Sequence, residues 1–380
     1  MRESETKRLV DARKTQFVTG FGRREFLFKA LVSGGLISNC LADGTALLGA
    51  LDTPLRGTLR SGADAAPGGP ITSTADLFVR NHFGAPTISG DTWALDVVGL
   101  VSKPLKLSYS DLLLMPSLER PFTLECAGNP PGGRGVGTPV WSGVPLAALL
   151  KQAGAREGAS TVVFHGADSG DGEGVPPGTH FARAIPLEKA MEPSTLLAYQ
   201  MNGDPLPADH GFPVRALVPG WYGMDSVKWL TRIEVLSQPF EGYFQREQYV
   251  SARNNGESQP ITRMLVNSKI IRPSEGEEIH SKTYRVEGVA WAGGERKLAK
   301  VEIRLGSGGD WQQASLGALP TAMVWAPWSY DWHVPRPGQY TIEIRASDEG
   351  GNTQPSVRDP DRKDLYELNS SQRVSVKVLF

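Results

Sequence analysis

Apolar and polar residues alternate in several short runs near the end of the chain: Val301-Glu302-Ile303-Arg304-Leu305, Tyr340-Thr341-Ile342-Glu343-Ile344 and Val374-Ser375-Val376-Lys377-Val378. A period of two sends successive side chains to opposite faces, so each run predicts a strand with one buried face. Ser307-Gly308-Gly309-Asp310 reads as a turn, with Trp311 opening the strand that follows. Short alternating strands at regular spacing predict an all-β immunoglobulin-like sandwich over residues 259–380. The chain before it has a different texture. Continuous apolar runs such as Thr161-Val162-Val163-Phe164 predict buried strands, and Val144 to Ala153 and Pro186 to Met191 predict short helices. An α+β domain is therefore expected over residues 67–258, with polar motifs in the loops between its elements.

Residues 1–66 read as an address followed by a linker. Gly22-Arg23-Arg24-Glu25-Phe26-Leu27 pairs two arginines with Phe-Leu and opens a mainly apolar stretch from Ala30 to Leu51. Gly34, Gly35, Asn39 and Asp43 interrupt that stretch, which argues against a membrane span of ~20 apolar residues. The pattern is that of a twin-arginine export signal, and the expected location is periplasmic or otherwise exported. A basic N-terminus with a chance Arg-Arg is the alternative. Thr53 to Pro70 is rich in Gly, Ala and Pro, as a linker would be.

At 380 residues the chain is long enough for two domains. A formal net charge of -1 gives no global field for nucleic acid. The 43 glycines and 28 prolines suit a loop-rich β fold. The cysteines change the picture more, because there are only two, Cys40 and Cys126. Iron–sulfur clusters take about four thiolates, and no Cys-x-x-Cys-His motif attaches a haem. Neither centre is expected. Redox chemistry would need a bound cofactor and a separate electron partner.

Cys126 lies in Phe122-Thr123-Leu124-Glu125-Cys126-Ala127-Gly128-Asn129, where a strand-like lead meets a Gly/Asn turn. A thiol there can face a ligand, although a lone cysteine also packs as a small hydrophobe. Three other clusters bear on the choice: Phe78-Val79-Arg80-Asn81-His82, Asp209-His210-Gly211-Phe212-Pro213-Val214-Arg215, and Ser226-Val227-Lys228-Trp229. Each alone reads as ordinary surface charge or a structural histidine. Together Arg80, His82, His210, Arg215 and Lys228 suit an anionic, phosphate-bearing ligand.

These motifs, in this order, resemble the molybdopterin-binding segments of the sulfite oxidase family from about Asp76 to the C-terminus. The resemblance implies a sulfite oxidase-like cofactor domain followed by an immunoglobulin-like dimerisation domain, and so a homodimer. It implies a molybdenum–molybdopterin cofactor lined by Phe78, Val79, Arg80, Asn81, His82, Asp168, His210, Arg215, Ser226, Val227 and Lys228. Cys126 would be the metal's thiolate ligand, a soft donor. Arg80 would face the open side of the metal. Tyr249, in Phe244-Gln245-Arg246-Glu247-Gln248-Tyr249, matches the family's active-site tyrosine, able to donate a hydrogen bond and move protons. The expected reaction is two-electron oxygen-atom transfer to sulfite or a related small sulfur compound, with electrons leaving to a separate cytochrome.

The chain departs from the sulfite-oxidising pattern in two places. Cys-Ala-Gly-Asn is followed by Pro130-Pro131-Gly132-Gly133-Arg134-Gly135 where those members carry anion-binding arginines. After Asn352-Thr353-Gln354-Pro355, the segment Leu365-Tyr366-Glu367-Leu368-Asn369-Ser370 offers no arginine at the matching place. Arg134 stands as a replacement on a Gly-rich loop expected to order it poorly. Each charge-assisted hydrogen bond contributes roughly 1.5–3 kcal/mol, so the molybdenum centre is better supported than sulfite as substrate. Two rival readings follow: an S-oxide or N-oxide reductase using the same site, and a non-catalytic binding module.

Overall fold

The computed structural model describes residues 71–380 except positions 173, 295, 307, 319 and 320. The signal and linker expected at 1–66, with Cys40, lie outside the described residues. Strands dominate. Among the described residues α-helix is confined to Tyr109–Leu114, Leu146–Ala153 and Leu187–Ala190. The α+β expectation for the first domain thus gives way to a mostly β one, because its apolar runs are short and cut by Gly and Pro.

The first sheet runs in the order Leu105–Ser108, Ala94–Gly99, Leu230–Leu236, Thr161–Gly172, Val175–Pro186. Its second and third strands are parallel, and the other pairs are antiparallel. Helix Leu146–Ala153 buries Leu146, Leu149, Leu150 and Ala153, spaced to form one helical face. They share a core with Leu95, Val97, Ile233 and Val235 of that sheet. The helix starts two residues later than expected because Val144 and Pro145 complete strand Val140–Pro145. It stops at Gly154, whose φ of 68° is one that glycine tolerates, and the Gly154 N–H donates to Leu150 O at 2.9 Å. Helix Tyr109–Leu114 opens with a capping box between Ser108 and Asp111. A second sheet joins Asp204–Pro205, Leu196–Met201, Val140–Pro145 and Leu118–Pro121, with Arg215–Leu217 paired to Leu196–Met201.

The last third forms two sheets, and the three alternating runs lie together in the second. One orders Asn267–Arg272, Thr283–Trp291, Ala326–His333 and Ser315–Leu316. The other orders Glu278–Ile279, Gln372–Val378, Gly338–Asp348, Leu298–Leu305 and Gln312–Gln313. Inward residues of both share one core, Val286, Trp328 and Trp332 meeting Val301, Ile303, Ile342, Ile344 and Val376.

The candidate site residues stand at the ends and irregularities of first-domain elements. Cys126 follows strand Leu124–Glu125, and Arg215 begins strand Arg215–Leu217. Ser226 to Lys228 precede strand Leu230–Leu236, and Tyr249 follows a π-helical turn, Phe244–Gln248. Asp168 falls where the pairing register shifts between His165 and Ser169, a bulge that re-aims a side chain.

Candidate active site

A cavity gathers Phe78, Arg80, Asn81, His82, Cys126, Asp168, His210, Arg215, Ser226, Val227, Lys228 and Tyr249 on its wall, together with Phe181, Met224 and Trp229. Val79, expected there, lies outside the lining; its neighbours on both sides face inward.

Arg215 and Lys228 are held by neutral carbonyl oxygens, with the Asp168 and Asp209 carboxyls near Lys228. Arg215 donates to His210 O at 3.2 Å and Ser226 O at 2.8 Å, and packs over the Trp141 ring at 5.2 Å. Lys228 Nζ donates to Asn81 Oδ1 and, at 2.8 Å, to Asp209 O, and lies 4.3 Å from the Trp229 ring. Trp229 itself has φ of 49°, unusual for a residue with a side chain, and its Nε1 donates to Ala208 O at 2.8 Å. Gly211 sits in the crowded centre at φ 106°. A Cβ there would stand 3.0 Å from Lys228 Cβ and 3.2 Å from Arg215 Cβ, so the turn between His210 and Arg215 requires glycine.

Burial sets the protonation states. Desolvation, then the charge of Arg215, pulls the Lys228 ammonium down to about 7. Desolvation brings the Arg215 guanidinium to about 9, so it stays charged at neutral pH. The two imidazoles differ from these cations. His82 is pulled down to about 3 by burial and by Arg80, and His210 to about 4 by burial and by Arg215. Both are neutral hydrogen-bonding groups at pH 7. Burial also raises the Asp168 carboxyl to about 6.

Cys126 is a free, partly buried thiol whose pKa is raised, chiefly by desolvation. Its N–H donates to Gly135 O at 2.8 Å, and its carbonyl accepts from Asn129 N at 2.9 Å. Tyr249 is buried, which keeps its phenol protonated, and it shares a hydrogen bond with His82 Nε2. The His82 ring stacks on Phe181 at 4.4 Å.

The wall fits an anionic pterin. Two of its buried polar atoms, Asp168 Oδ1 and Arg215 Nε, have no hydrogen-bond partner, and buried polar groups normally find one. Lys228, Arg215 and Arg80 supply charge for a phosphate. No cluster of three or more His, Cys, Asp or Glu able to hold a metal occurs among the described residues. A metal at Cys126 would therefore take its other ligands from a chelating cofactor.

Arg134 does not replace the missing guanidiniums in the cavity. It lines a separate groove with Thr72, Asp76, Lys269 and Trp325. Its loop is also better ordered than its glycines suggest, because Asn129 Oδ1 accepts from Gly135 N at 2.9 Å. Sequence reasoning missed four other contributors. Arg183, fully buried, donates to Asp225 Oδ1 at 2.7 Å, to Ile261 O at 2.8 Å and to Phe244 O, and so fixes the backbone around Tyr249. A charge inside the apolar run Phe181 to Ile185 was the available signal for it. Asp225 is its partner, and Glu125, beside Cys126, is likewise buried. Tyr366, from the C-terminal domain, packs its ring 5.1 Å from that of Tyr249. No sequence pattern distinguishes Tyr366.

Two family models match the chain: an oxidoreductase molybdopterin binding domain over residues 82–244 and a Mo-co oxidoreductase dimerisation domain over 258–367. Mitochondrial sulfite oxidase of Rattus norvegicus is 35% identical over 346 residues, covering 81% of this chain and 62% of that protein. The Homo sapiens enzyme is 36% identical over 323 residues, covering 76% and 58%. An NADH nitrate reductase of Solanum lycopersicum is 36% identical over 333 residues, covering 76% and 36%. The chain thus spans at most about three fifths of the length of these relatives. Among solved structures, the sulfane dehydrogenase SoxCD from Paracoccus pantotrophus superposes with a TM-score of 0.73 at 27% identity, covering 81% of each chain. With both family models in sequence and this identity over most of its length, the chain belongs to the sulfite oxidase family of molybdopterin-dependent oxidoreductases, whose cofactor is molybdenum held by molybdopterin.

Proposed function

We propose that this chain is an exported enzyme that oxidises a small sulfur compound by two-electron oxygen-atom transfer, with Cys126 as the protein's ligand to the metal. The observation that carries the reading is the meeting of a thiol with Arg80, Arg215 and Lys228 around one cavity with buried, unpaired polar atoms. When bound, the molybdenum cofactor supplies the two-electron redox couple and the transferable oxygen. The Cys126 thiolate holds the metal. Asp168, His210, Arg215, Lys228 and the segments Phe78–His82 and Ser226–Lys228 orient the pterin. Arg80 attracts the substrate's negative charge and steadies charge that builds on the reacting oxygen. Tyr249 keeps a proton at its hydroxyl, and neutral His82, hydrogen-bonded to it, holds that hydroxyl in place.

The test is Cys126→Ser. It is expected to leave a folded protein with its pterin, measured by fluorescence after release, and no sulfur-dependent cytochrome reduction. Retention of parental activity would remove Cys126 as ligand. Purified protein lacking near-stoichiometric molybdenum after cofactor-competent expression would support a binding module instead.

With no arginine in the segment Leu365 to Ser370 and Arg134 outside the cavity, the pocket lacks the two guanidiniums that the resemblance associates with binding sulfite. A less charged sulfur compound, or sulfur presented on a carrier, fits it better, and the likeness to a sulfane dehydrogenase supports this. Kinship with nitrate reductases keeps the reductive direction as the second reading. Cytochrome reduction by sulfite or thiosulfate, set against S-oxide-dependent dye oxidation, separates the two.

Electrons pass to a separate cytochrome in this reading, because the two cysteines encode neither an iron–sulfur cluster nor a covalent haem. Export follows the twin-arginine route read from Arg23 and Arg24. We divide the chain into residues 1–66, 67–258 and 259–380. The last of these is read as an immunoglobulin-like sandwich that forms a homodimer. Its two-sheet order supports this, as does the parallel pairing of Glu278–Ile279 with Gln372–Val378.

A further inference from the structure

Glu125 adjoins Cys126 in sequence and is only 1% exposed. A buried carboxyl is costly unless its oxygens are bonded, and this one accepts three hydrogen bonds. Oε1 takes Asn129 Nδ2 at 3.1 Å and Asn267 Nδ2 at 3.0 Å, and Oε2 takes Trp291 Nε1 at 2.8 Å. Asn267 and Trp291 belong to the C-terminal domain. On the other side of Cys126, Ala127 O accepts from Glu367 N at 2.8 Å, again from the C-terminal domain. The two attachments are themselves linked. Asn267 Oδ1 accepts from Gln354 Nε2 at 3.0 Å, and Gln354 Nε2 also donates to Asn369 O at 3.0 Å, two residues from Glu367. A closed ring of hydrogen bonds thus runs from Glu125 through the C-terminal domain and back to Ala127, with Cys126 between its ends.

We infer that Glu125 is a positioning residue through which the C-terminal domain fixes the direction of the Cys126 sulfur toward the metal. This rests on the reading of Cys126 as the ligand. A carboxyl suits the task better than an apolar filler, because its two oxygens accept bonds from two directions and hold the residue before Cys126 against rotation. Asn129 extends the hold: it reaches Glu125 with its nitrogen and Gly135 N with its oxygen, and Gly135 O in turn accepts from Cys126 N. A mere staple between domains would add stability without affecting the sulfur.

The experiment compares full-length, cofactor-loaded Glu125→Ala, Glu125→Gln, Trp291→Phe and Cys126→Ser with the parent. It measures the thiolate-to-molybdenum absorption band, molybdenum per chain, kcat and KM. Glu125→Ala is expected to keep its molybdenum but to shift the band and lose roughly tenfold in kcat at unchanged KM, about the equivalent of one lost hydrogen bond. Glu125→Gln should recover part of the loss, and Trp291→Phe should show a smaller shift in the same direction. A parental band and kcat in Glu125→Ala, whatever its melting temperature, would reduce Glu125 to a staple. If that variant does not fold, Trp291→Phe decides on the same two readouts. A band that persists in Cys126→Ser overturns the ligand reading itself. A band lost there but unmoved in the Glu125 and Trp291 variants overturns this inference alone.

Discussion

Replacing Arg183 by methionine tests how the tyrosine side of the cavity is built. Arg183 and Asp225 are both 0% exposed. The substitution keeps most of the side chain's length and removes three donors at once, leaving Asp225 Oδ1, Phe244 O and Ile261 O without them. Stripping the partner from a buried charge costs about 3–5 kcal/mol, and each orphaned carbonyl about 1–3 kcal/mol. Even with partial relaxation the total is ~5 kcal/mol or more, comparable to the ~5–15 kcal/mol that holds a domain folded. At about 2 °C per kcal/mol for a chain of this size, the melting temperature should fall by ~10 °C or more.

The pH dependence sharpens the test. Burial already raises the Asp225 carboxyl to about 6, with Arg183 holding it lower than burial alone would. Without Arg183 it rises further. A carboxyl that binds its proton more tightly folded than unfolded loses stability as pH climbs from the ordinary carboxylate range through the folded pKa. The deficit of Arg183→Met should therefore be smaller at pH 5 than at pH 8. Arg183→Met combined with Asp225→Ala removes the stranded charge and should recover more than half of the loss. Melting followed by tryptophan fluorescence at the two pH values decides it. A single variant within about 3 °C of the parent, or a double variant no better than the single, would refute the clamp.

Two further outcomes follow from the same cavity. Lys228→Met should lower molybdenum content about tenfold through loss of a phosphate contact while stabilising the cofactor-free protein. In the parent, an ammonium held near 7 binds its proton less tightly folded than unfolded. Cofactor-free stability should therefore decline as pH falls from about 10.5 toward 7, and that slope should vanish in the variant; a slope that persists in fluorimetric melts assigns it to another group. Tyr366→Arg, beside Tyr249, should lower the KM for sulfite at least ~tenfold by adding a charge-assisted contact, and an unchanged KM in steady-state kinetics would show that position 366 does not meet the substrate.

The periodic parts of the fold were the most legible. Val301 to Leu305 and Val374 to Val378 alternate because one sheet face meets the core and the other meets water, and both lie in strands of one sheet. The first domain was harder to read, since its strands are buried on both faces or cut short, and continuous apolar runs fit helix and strand equally. The cavity wall was legible where a motif concentrates unusual chemistry, as at Arg80 to His82 and His210 to Arg215. What escaped acts over long sequence separations. Arg183 reaches Ile261, Glu125 reaches Trp291, and Tyr366 meets Tyr249, and in each pair neither residue betrays the other. The protonation states escaped for a related reason: His82 and His210 are neutral because of what surrounds them in space, which their neighbours in sequence do not reveal.

The same electrostatics bear on the order of events in the cell. After burial, the Arg215 charge depresses the Lys228 ammonium, and the bonds of the two cations to Asp209 O, His210 O and Ser226 O give hydrogen-bond partners without negative charge. An anion that binds the folded protein alone offsets that repulsion and raises stability by mass action, ~4 kcal/mol at a thousandfold excess over its dissociation constant. A protein that gains so much from its ligand is best loaded before it is moved. Under the proposed export route, which carries folded proteins, that constraint is met only if the cofactor enters in the compartment of synthesis. Protein exported from cofactor-deficient cells should then be scarce, while the cytoplasmic pool retains a melting temperature several degrees below that of loaded protein. Equal export with and without the cofactor would break the link between the charge of this cavity and the twin arginines at the start of the chain.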